Sequence, residues 1–420
     1  MDILIKSVRI IDQKSAYHNK EVDVLVSKGK IKKIGTIEDA SSKTIEAKGM
    51  ILSVGWFDMR ANFCDPGLEY KEDLFTGMEA ASAGGFTGVA LLPNTKPVIQ
   101  SKNDIKYIYA RTAENIVDVY PMGAVTIDTK GEDFTEMIDL HEAGAIAFTD
   151  GEQPLWQSDI LLKSLQYLEK FKGLLINKPE EKRLNMFGHM NEGVNSTILG
   201  MKGMPKLGEE LMINRDLSLL EYAGGRLHLS QLSTVESIAQ VRAAKKKGLN
   251  VTCDVAAFQA LFDDSALNTF DTNYKVNPPF REKEDINAII KGLKDGTIDV
   301  IVSSHTPHDE ESKKLEFDLA DFGITGLQTV AHSIQELAKK VDLPLLIEKL
   351  TTSPRNLLGL PHPEIAEGEN ANLTLFAPEL EWTFDSATNK SKSVYSPYFG
   401  KTLRGKAVAV FNKGKVIIQL

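Results

Sequence analysis

Arg226-Leu227-His228-Leu229, then the helical stretch from Thr234 to Lys247, then Asn250-Val251-Thr252: this segment reads as strand, helix, strand. A helix between two short apolar strands carries the chain back across the sheet, so the strands run parallel. The same alternation extends in both directions. Gly88-Val89-Ala90-Leu91-Leu92, Ala145-Ile146-Ala147-Phe148 and Asp299-Val300-Ile301-Val302 are further short apolar strands, and Glu284 to Asp295 is a further helix. Repeated β and α units over this length predict an α/β protein whose best architecture is a closed (β/α)8 TIM barrel. A doubly wound open sheet is the alternative, but no G-x-G-x-x-G sequence opens a helix.

The two ends of the chain follow a different rule. Val22-Asp23-Val24-Leu25-Val26 alternates with period two, Ser27-Lys28-Gly29-Lys30 turns the chain, and Ile31 and Ile34 resume the pattern. Near the other terminus, Ala371 to Phe376 is a strand, and Lys406–Phe411 and Val416–Leu420 make a hairpin around Asn412-Lys413-Gly414. The expectation is a small β-sandwich domain built from residues 1–53 and 364–420, with the barrel occupying 54–363.

Composition excludes several classes. Hydrophobic residues make up 42% and charged residues 25% of 420 residues, an ordinary globular balance that can build its own core. A net charge of −9 argues against nonspecific nucleic-acid binding. Cys64 and Cys253 form no ligand-spaced pair and read as free thiols. The N-terminus lacks a signal-peptide layout and no apolar run suggests a membrane span, so the expectation is a cytoplasmic protein. The basic runs Lys32-Lys33, Lys245-Lys246-Lys247 and Lys313-Lys314 read as solvated faces.

In a TIM barrel the chemistry sits where strands end. The strand Met50–Val54 runs into Gly55-Trp56-Phe57-Asp58-Met59-Arg60-Ala61-Asn62-Phe63-Cys64-Asp65-Pro66-Gly67. Downstream come Leu92-Pro93-Asn94-Thr95-Lys96-Pro97, Phe148-Thr149-Asp150-Gly151, Met190-Asn191-Glu192-Gly193, Leu229-Ser230-Gln231-Leu232-Ser233-Thr234, Lys275-Val276-Asn277-Pro278-Pro279-Phe280-Arg281, Ser304-His305-Thr306-Pro307-His308 and Phe322-Gly323-Ile324-Thr325-Gly326-Leu327. In this order the segments resemble the dihydroorotases of the amidohydrolase superfamily, and the resemblance covers essentially the whole chain. Hydantoinases and allantoinases typically carry a carboxylated lysine on the strand that here ends Phe148-Thr149-Asp150. The absence of that lysine favours the dihydroorotase branch.

The resemblance implies an enzyme of pyrimidine biosynthesis that interconverts carbamoyl-aspartate and dihydroorotate. In that family, zinc held by imidazole and carboxylate groups activates water, and an aspartate moves the proton. Carried over residue by residue, the pattern departs from the family at almost every ligand. The His-x-His pair falls on Arg60 and Asn62, a further histidine falls on Asn177, and another falls on Gln231. Ser304 stands at the catalytic aspartate, and only Asp150 keeps a ligand's chemistry. Carboxamides are poor zinc ligands beside imidazole. Two unit charges about 4 Å apart interact by roughly 4 kcal/mol at an effective dielectric near 20, so a divalent ion beside Arg60 meets on the order of 8 kcal/mol of repulsion. The expectation is that no metal cofactor is held, and that Arg60 lies beside Asp150 as a replacement for the metal's charge.

On the substrate side, Cys64 replaces the family's arginine, whereas Asn94, Asn277 and His308 stand at substrate-binding positions. Each has a plain structural reading as well. Asn94 sits in a turn, His305 and His308 flank Pro307 as hydrogen-bonded loop residues, and His189 reads as a solvated loop residue. Cys64 is a nucleophile only if its thiol is acidified by Arg60. The leading functional expectation is a noncatalytic homologue, a homodimeric partner or scaffold for aspartate transcarbamoylase. The alternatives are an active cyclic amidohydrolase with a rebuilt site, or a sensor of a small carboxylate or ureido ligand.

Overall fold

The computed structural model describes residues 2–38 and 43–419. Leu420, the last residue of the expected hairpin, lies outside them, as does Met1.

The barrel strands are Trp56–Ala61, Phe86–Leu91, Asp118–Pro121, Leu175–Asn177, Leu227–Leu229, Val251–Ala256 and Val300–Val302, with a further segment around Phe148. Neighbours are parallel, with Val89 opposite Asp58 and Val119, Leu229 opposite Asn177 and Cys253, and Val255 opposite Ile301. The segment Ala145–Phe148, expected as a regular strand, joins by single pairings of Phe148 with Gly123 and Leu175. Its amides still bridge both neighbours: Ile146 N donates to Pro121 O at 3.3 Å and Phe148 N to Leu174 O at 3.0 Å. The ring closes where Ala61 pairs with His305, with Asn62 N donating to His305 O at 2.9 Å. Buried Asp58 reinforces that closure by accepting from Ser303 N and Oγ at 2.9 and 2.5 Å.

The helices form where capping and apolar spacing agree. Thr234 caps Val235–Lys246 by accepting from Ser237 N at 3.1 Å, and Asp73 caps Leu74–Ala83 through Phe75 N and Thr76 N, both at 2.9 Å. In Lys283–Lys294, Ile286, Ile289, Ile290 and Leu293 fall at i, i+3, i+4 and i+7, so one face packs on the barrel while lysines and glutamates face water. Lys313 corrects the reading of its basic run. It is buried, its ammonium donates to Asp321 O at 2.9 Å, and burial pushes it down to about 7.

Both chain ends build one eight-stranded sheet. Its path runs Lys415–Ile418, Lys401–Asn412, Leu373–Phe384, Ile51–Val54, Ile3–Ile11, Glu21–Ser27, Lys30–Gly35, with Lys43–Glu46 also paired to Ile3–Ile11. The ends meet where Leu373 lies antiparallel to Val54, and Ile5, Val24, Leu52, Leu375 and Phe411 share one apolar core. Among the described residues no helix is long and apolar enough to cross a membrane.

Two loops after barrel strands are welded together. Lys96 N donates to Pro66 O at 2.9 Å, and a Cβ at Gly67 (φ +90°) would lie 1.6 Å from Lys96 O. Only glycine allows this backbone approach, which fixes the rim next to the site.

Candidate functional site

At the C-terminal ends of the strands a cavity of about 310 Å³ is lined by Asn62, Glu152, Lys178, Asn277, Ser304 and His308, among others. Arg60 ends the first barrel strand beneath it and is 2% exposed. Its Nη2 donates to Glu152 Oε1 at 2.9 Å and to Gly151 O at 3.4 Å, while Nε has no partner among the described residues. The expected contact with Asp150 is therefore corrected: Glu152 takes the charge. The reason is that the Asp150 carboxylate is already saturated. Oδ1 accepts from Val125 N and Thr126 N, both at 2.9 Å, and Oδ2 accepts from the Thr126 hydroxyl. Burial pushes Asp150 up to about 6 despite those bonds.

Glu152 lies between two cations. Lys178, following the strand Leu175–Asn177, places its ammonium 3.6 Å from Glu152 and 3.7 Å from Glu180. Burial raises the Glu152 carboxyl, but Arg60 and Lys178 outweigh it and hold the group below its ordinary range. Glu180 also accepts from Asn277 Nδ2 at 3.0 Å. The result is a compact cluster of two cations and two carboxylates.

The residues at the other expected ligand positions hydrogen-bond within the protein. Asn62 Oδ1 accepts from Cys64 N at 2.8 Å, and Asn177 Oδ1 accepts from Leu155 N at 2.9 Å while its amide donates to Asp216 at 2.6 Å. Gln231 donates to Ser304 Oγ, and its Oε1 has no partner among the described residues. Its backbone N donates to Asp254, which also accepts from His228 Nε2 at 2.9 Å and Ser230 Oγ at 2.8 Å. Among the described residues no three His, Cys, Asp or Glu side chains converge as a metal site requires. A guanidinium, three amides and a saturated carboxylate do not fit zinc.

The substrate-side positions separate into two groups. Asn277 and His308 line the cavity. His308 Nε2 faces Phe322 O at 2.8 Å and so carries the hydrogen, leaving Nδ1 to accept from Lys71 Nζ at 3.1 Å. Burial and the Lys71 charge push it down to about 4. Asn94 instead clamps the next loop, donating to Asp150 O at 3.0 Å and accepting from Glu152 N at 2.9 Å. Cys64 is buried, and desolvation with Glu72 nearby pushes its thiol up to about 12 rather than acidifying it. His305 accepts from Gly326 N at 3.2 Å, in keeping with its structural reading. His189 packs 3.5 Å from Lys275 Nζ, and burial holds it below its usual range.

Glu152, Lys178 and Glu180 were not singled out from the sequence. Glu152 lies one residue beyond the Phe148–Gly151 segment, and Lys178 directly follows Asn177. Charged residues directly after a barrel strand were the available signal.

This barrel, with its cluster at the strand ends and its sheet from both termini, has the architecture of the amidohydrolases. L-hydantoinase (dihydropyrimidinase) from Arthrobacter aurescens superposes with a TM-score of 0.86 at 22% identity, over 100% of this chain and 96% of that one. Dihydropyrimidinase from Brevibacillus agri gives 0.82 at 20% identity, over 100% and 95%. At this identity the likeness establishes the fold. Residues 49–237 match the family model described as dihydro-orotase-like. The dihydroorotase of Geotalea daltonii is 40% identical over 99% of both chains, and that of Pelotomaculum thermopropionicum 39% over 100% of this chain and 99% of that one. The chain belongs to the dihydroorotase family.

Proposed function

We propose that this chain is a noncatalytic dihydroorotase homologue of pyrimidine biosynthesis. The observation that carries the reading is the ion pair between Arg60 and Glu152. It puts a fixed cation where the family places a metal-binding histidine, and gives it a carboxylate within the protein. Ser304 cannot take and return a proton at neutral pH as an aspartate does, and it is held by Gln231. The welded rim and the capped helices keep a well-packed scaffold around that site. Such a scaffold suits a cytoplasmic homodimer that supports aspartate transcarbamoylase.

The test uses one sample for three measurements. After loading with zinc and dialysis, metal analysis is expected to find well below one zinc per chain, and a dihydroorotate assay no turnover above the metal-free control. Stoichiometric zinc together with turnover would establish the opposite reading, an active cyclic amidase with a rebuilt site. Co-elution with aspartate transcarbamoylase on size exclusion at micromolar concentration is expected, and separate elution removes the scaffold role.

The cavity itself favours a second reading, a sensor. Among the described residues the Lys178 ammonium makes only long contacts, 3.6 Å to Glu152 and 3.7 Å to Glu180, and Lys178 lines the cavity with Asn277, an arrangement suited to a carboxylate or ureido group. A thermal shift with dihydroorotate or carbamoyl-aspartate that disappears in Lys178→Met supports this reading; no shift with either discards it.

A further inference from the structure

A second cavity, of about 300 Å³, lies at the opposite end of the barrel, between the starts of the first three strands and the sheet of the chain termini. Phe57, Gly88, Asp118 and Tyr120 contribute the barrel wall, and residues 360–364 with Glu369, Asn370 and Asn372 contribute much of the rest. Arg355, from the helix Thr352–Leu358, reaches into it while 4% exposed.

The Arg355 guanidinium is under-satisfied. Nη1 donates to Thr351 O at 3.1 Å and Nη2 makes a long bond to Thr87 Oγ1 at 3.4 Å. Among the described residues Nε makes no hydrogen bond and no carboxylate forms an ion pair with this side chain. Its carbon centre lies 5.4 Å from the Phe57 ring centroid, which supports the cation but supplies no counter-charge. The nearby Asp118 carboxylate is taken by Asn412 Nδ2 at 2.8 Å and Lys413 Nζ at 2.7 Å. A buried guanidinium without a counter-ion is costly, and a bidentate carboxylate removes that cost. Tyr120 also lines the cavity, its hydroxyl makes no hydrogen bond among the described residues, and burial keeps it protonated, pushed up to about 12.

Charge on the rest of the lining narrows the ligand. Glu364 and Glu369 are exposed and stand at the rim. They repel a polyanion but attract a cationic group held at the far end of a small ligand. We propose that this basal cavity binds an amino-acid-sized zwitterion, with its carboxylate on Arg355 and Tyr120 and its ammonium toward Glu364 and Glu369. The site is remote from the barrel mouth and does not depend on the reading given to that site.

Saturation-transfer NMR of the full chain with each of the twenty proteinogenic amino acids, with acetate and inorganic phosphate as controls, tests the proposal. At least one amino acid is expected to bind saturably and more tightly than acetate or phosphate. Arg355→Gln should weaken it at least about tenfold, as expected for loss of a bidentate charge contact. Should that variant not fold, Tyr120→Phe reports instead, with a several-fold loss expected. Glu364→Gln with Glu369→Gln should weaken the amino acid and leave acetate unchanged. No saturable amino acid, tighter binding of phosphate, or affinity unaltered in Arg355→Gln or Tyr120→Phe overturns the assignment.

Discussion

Arg60 Nη2 lies 2.9 Å from Glu152 Oε1, and these residues come from the ends of the first strand and of the irregular fourth segment of the barrel. The pair links two strand ends that are not neighbours in the barrel. Arg60 is buried, and Glu152 retains 27% exposure.

Removing one partner should cost stability. Glu152→Gln leaves the Arg60 charge buried with only the Gly151 carbonyl and a neutral amide. Loss of one partner in a fully buried pair costs about 3–5 kcal/mol; the exposure of Glu152 reduces the expectation to about 1–3 kcal/mol. Adding Arg60→Met should recover most of the loss. Denaturant titration of both single variants and the double variant measures the coupling, and simple additivity would count against it.

Restoring histidines should restore metal affinity. Arg60→His, Asn62→His, Asn177→His and Gln231→His together replace a repelling cation and three amides by imidazoles. The quadruple variant is expected to retain zinc through dialysis, and the parent chain is expected to lose it. Adding Ser304→Asp should then bring measurable dihydroorotate hydrolysis. A quadruple variant that folds and retains no zinc would show that the backbone, and not only the side chains, has departed from a metal site.

His308 should make stability fall with acidification. Its folded value is pushed down to about 4, whereas an unfolded chain carries the ordinary value near 6.5. Between those limits the unfolded state binds more protons, so stability present above about pH 6.5 is lost as pH falls toward 4. The contribution is of order 2 kcal/mol. His308→Gln should flatten this part of the stability profile, and the His308 imidazole resonances, assigned by their loss in that variant, should not titrate near pH 6.5.

Both thiols should be silent in the native state. Cys64 is pushed up to about 12 by burial and nearby Glu72, and burial raises Cys253 further. Iodoacetamide at pH 8 is expected to leave the folded chain unlabelled and to modify both cysteines in denaturant. Rapid native labelling of Cys64 would revive it as a reactive group.

Legibility differed between fold and site for a physical reason. Strand and helix periodicity are local, so Leu227–Leu229 and Val235–Lys246 emerged within a residue or two of where they lie, while the strand read at Asn250–Thr252 runs on to Ala256. The terminal sheet was legible for the same reason, with Leu373 and Val54 at the start and end of strands that pair. The Phe148 segment was less regular than its apolar run suggested, because its single pairings depend on both flanking strands. Lys313 was misread because a helix of four residues carried it under the Asp321 carbonyl, which no sequence period reveals.

The sequence by itself determined the barrel and the terminal sheet, and it set Arg60, Asn62, Asn177 and Gln231 at the strand ends, since those depend on residue identity and order. The tertiary structure alone decided who neutralises Arg60. Thr126 and Val125 reach Asp150 first, from a loop 24 and 25 residues earlier, and leave Glu152 as the free carboxylate. It also decided that Asn94 holds a loop, that Lys178 joins the cluster, and that Arg355 lies buried with no ion pair among the described residues. Charge pairing is settled by distance in space, and distances between strand ends exist only once the barrel has closed.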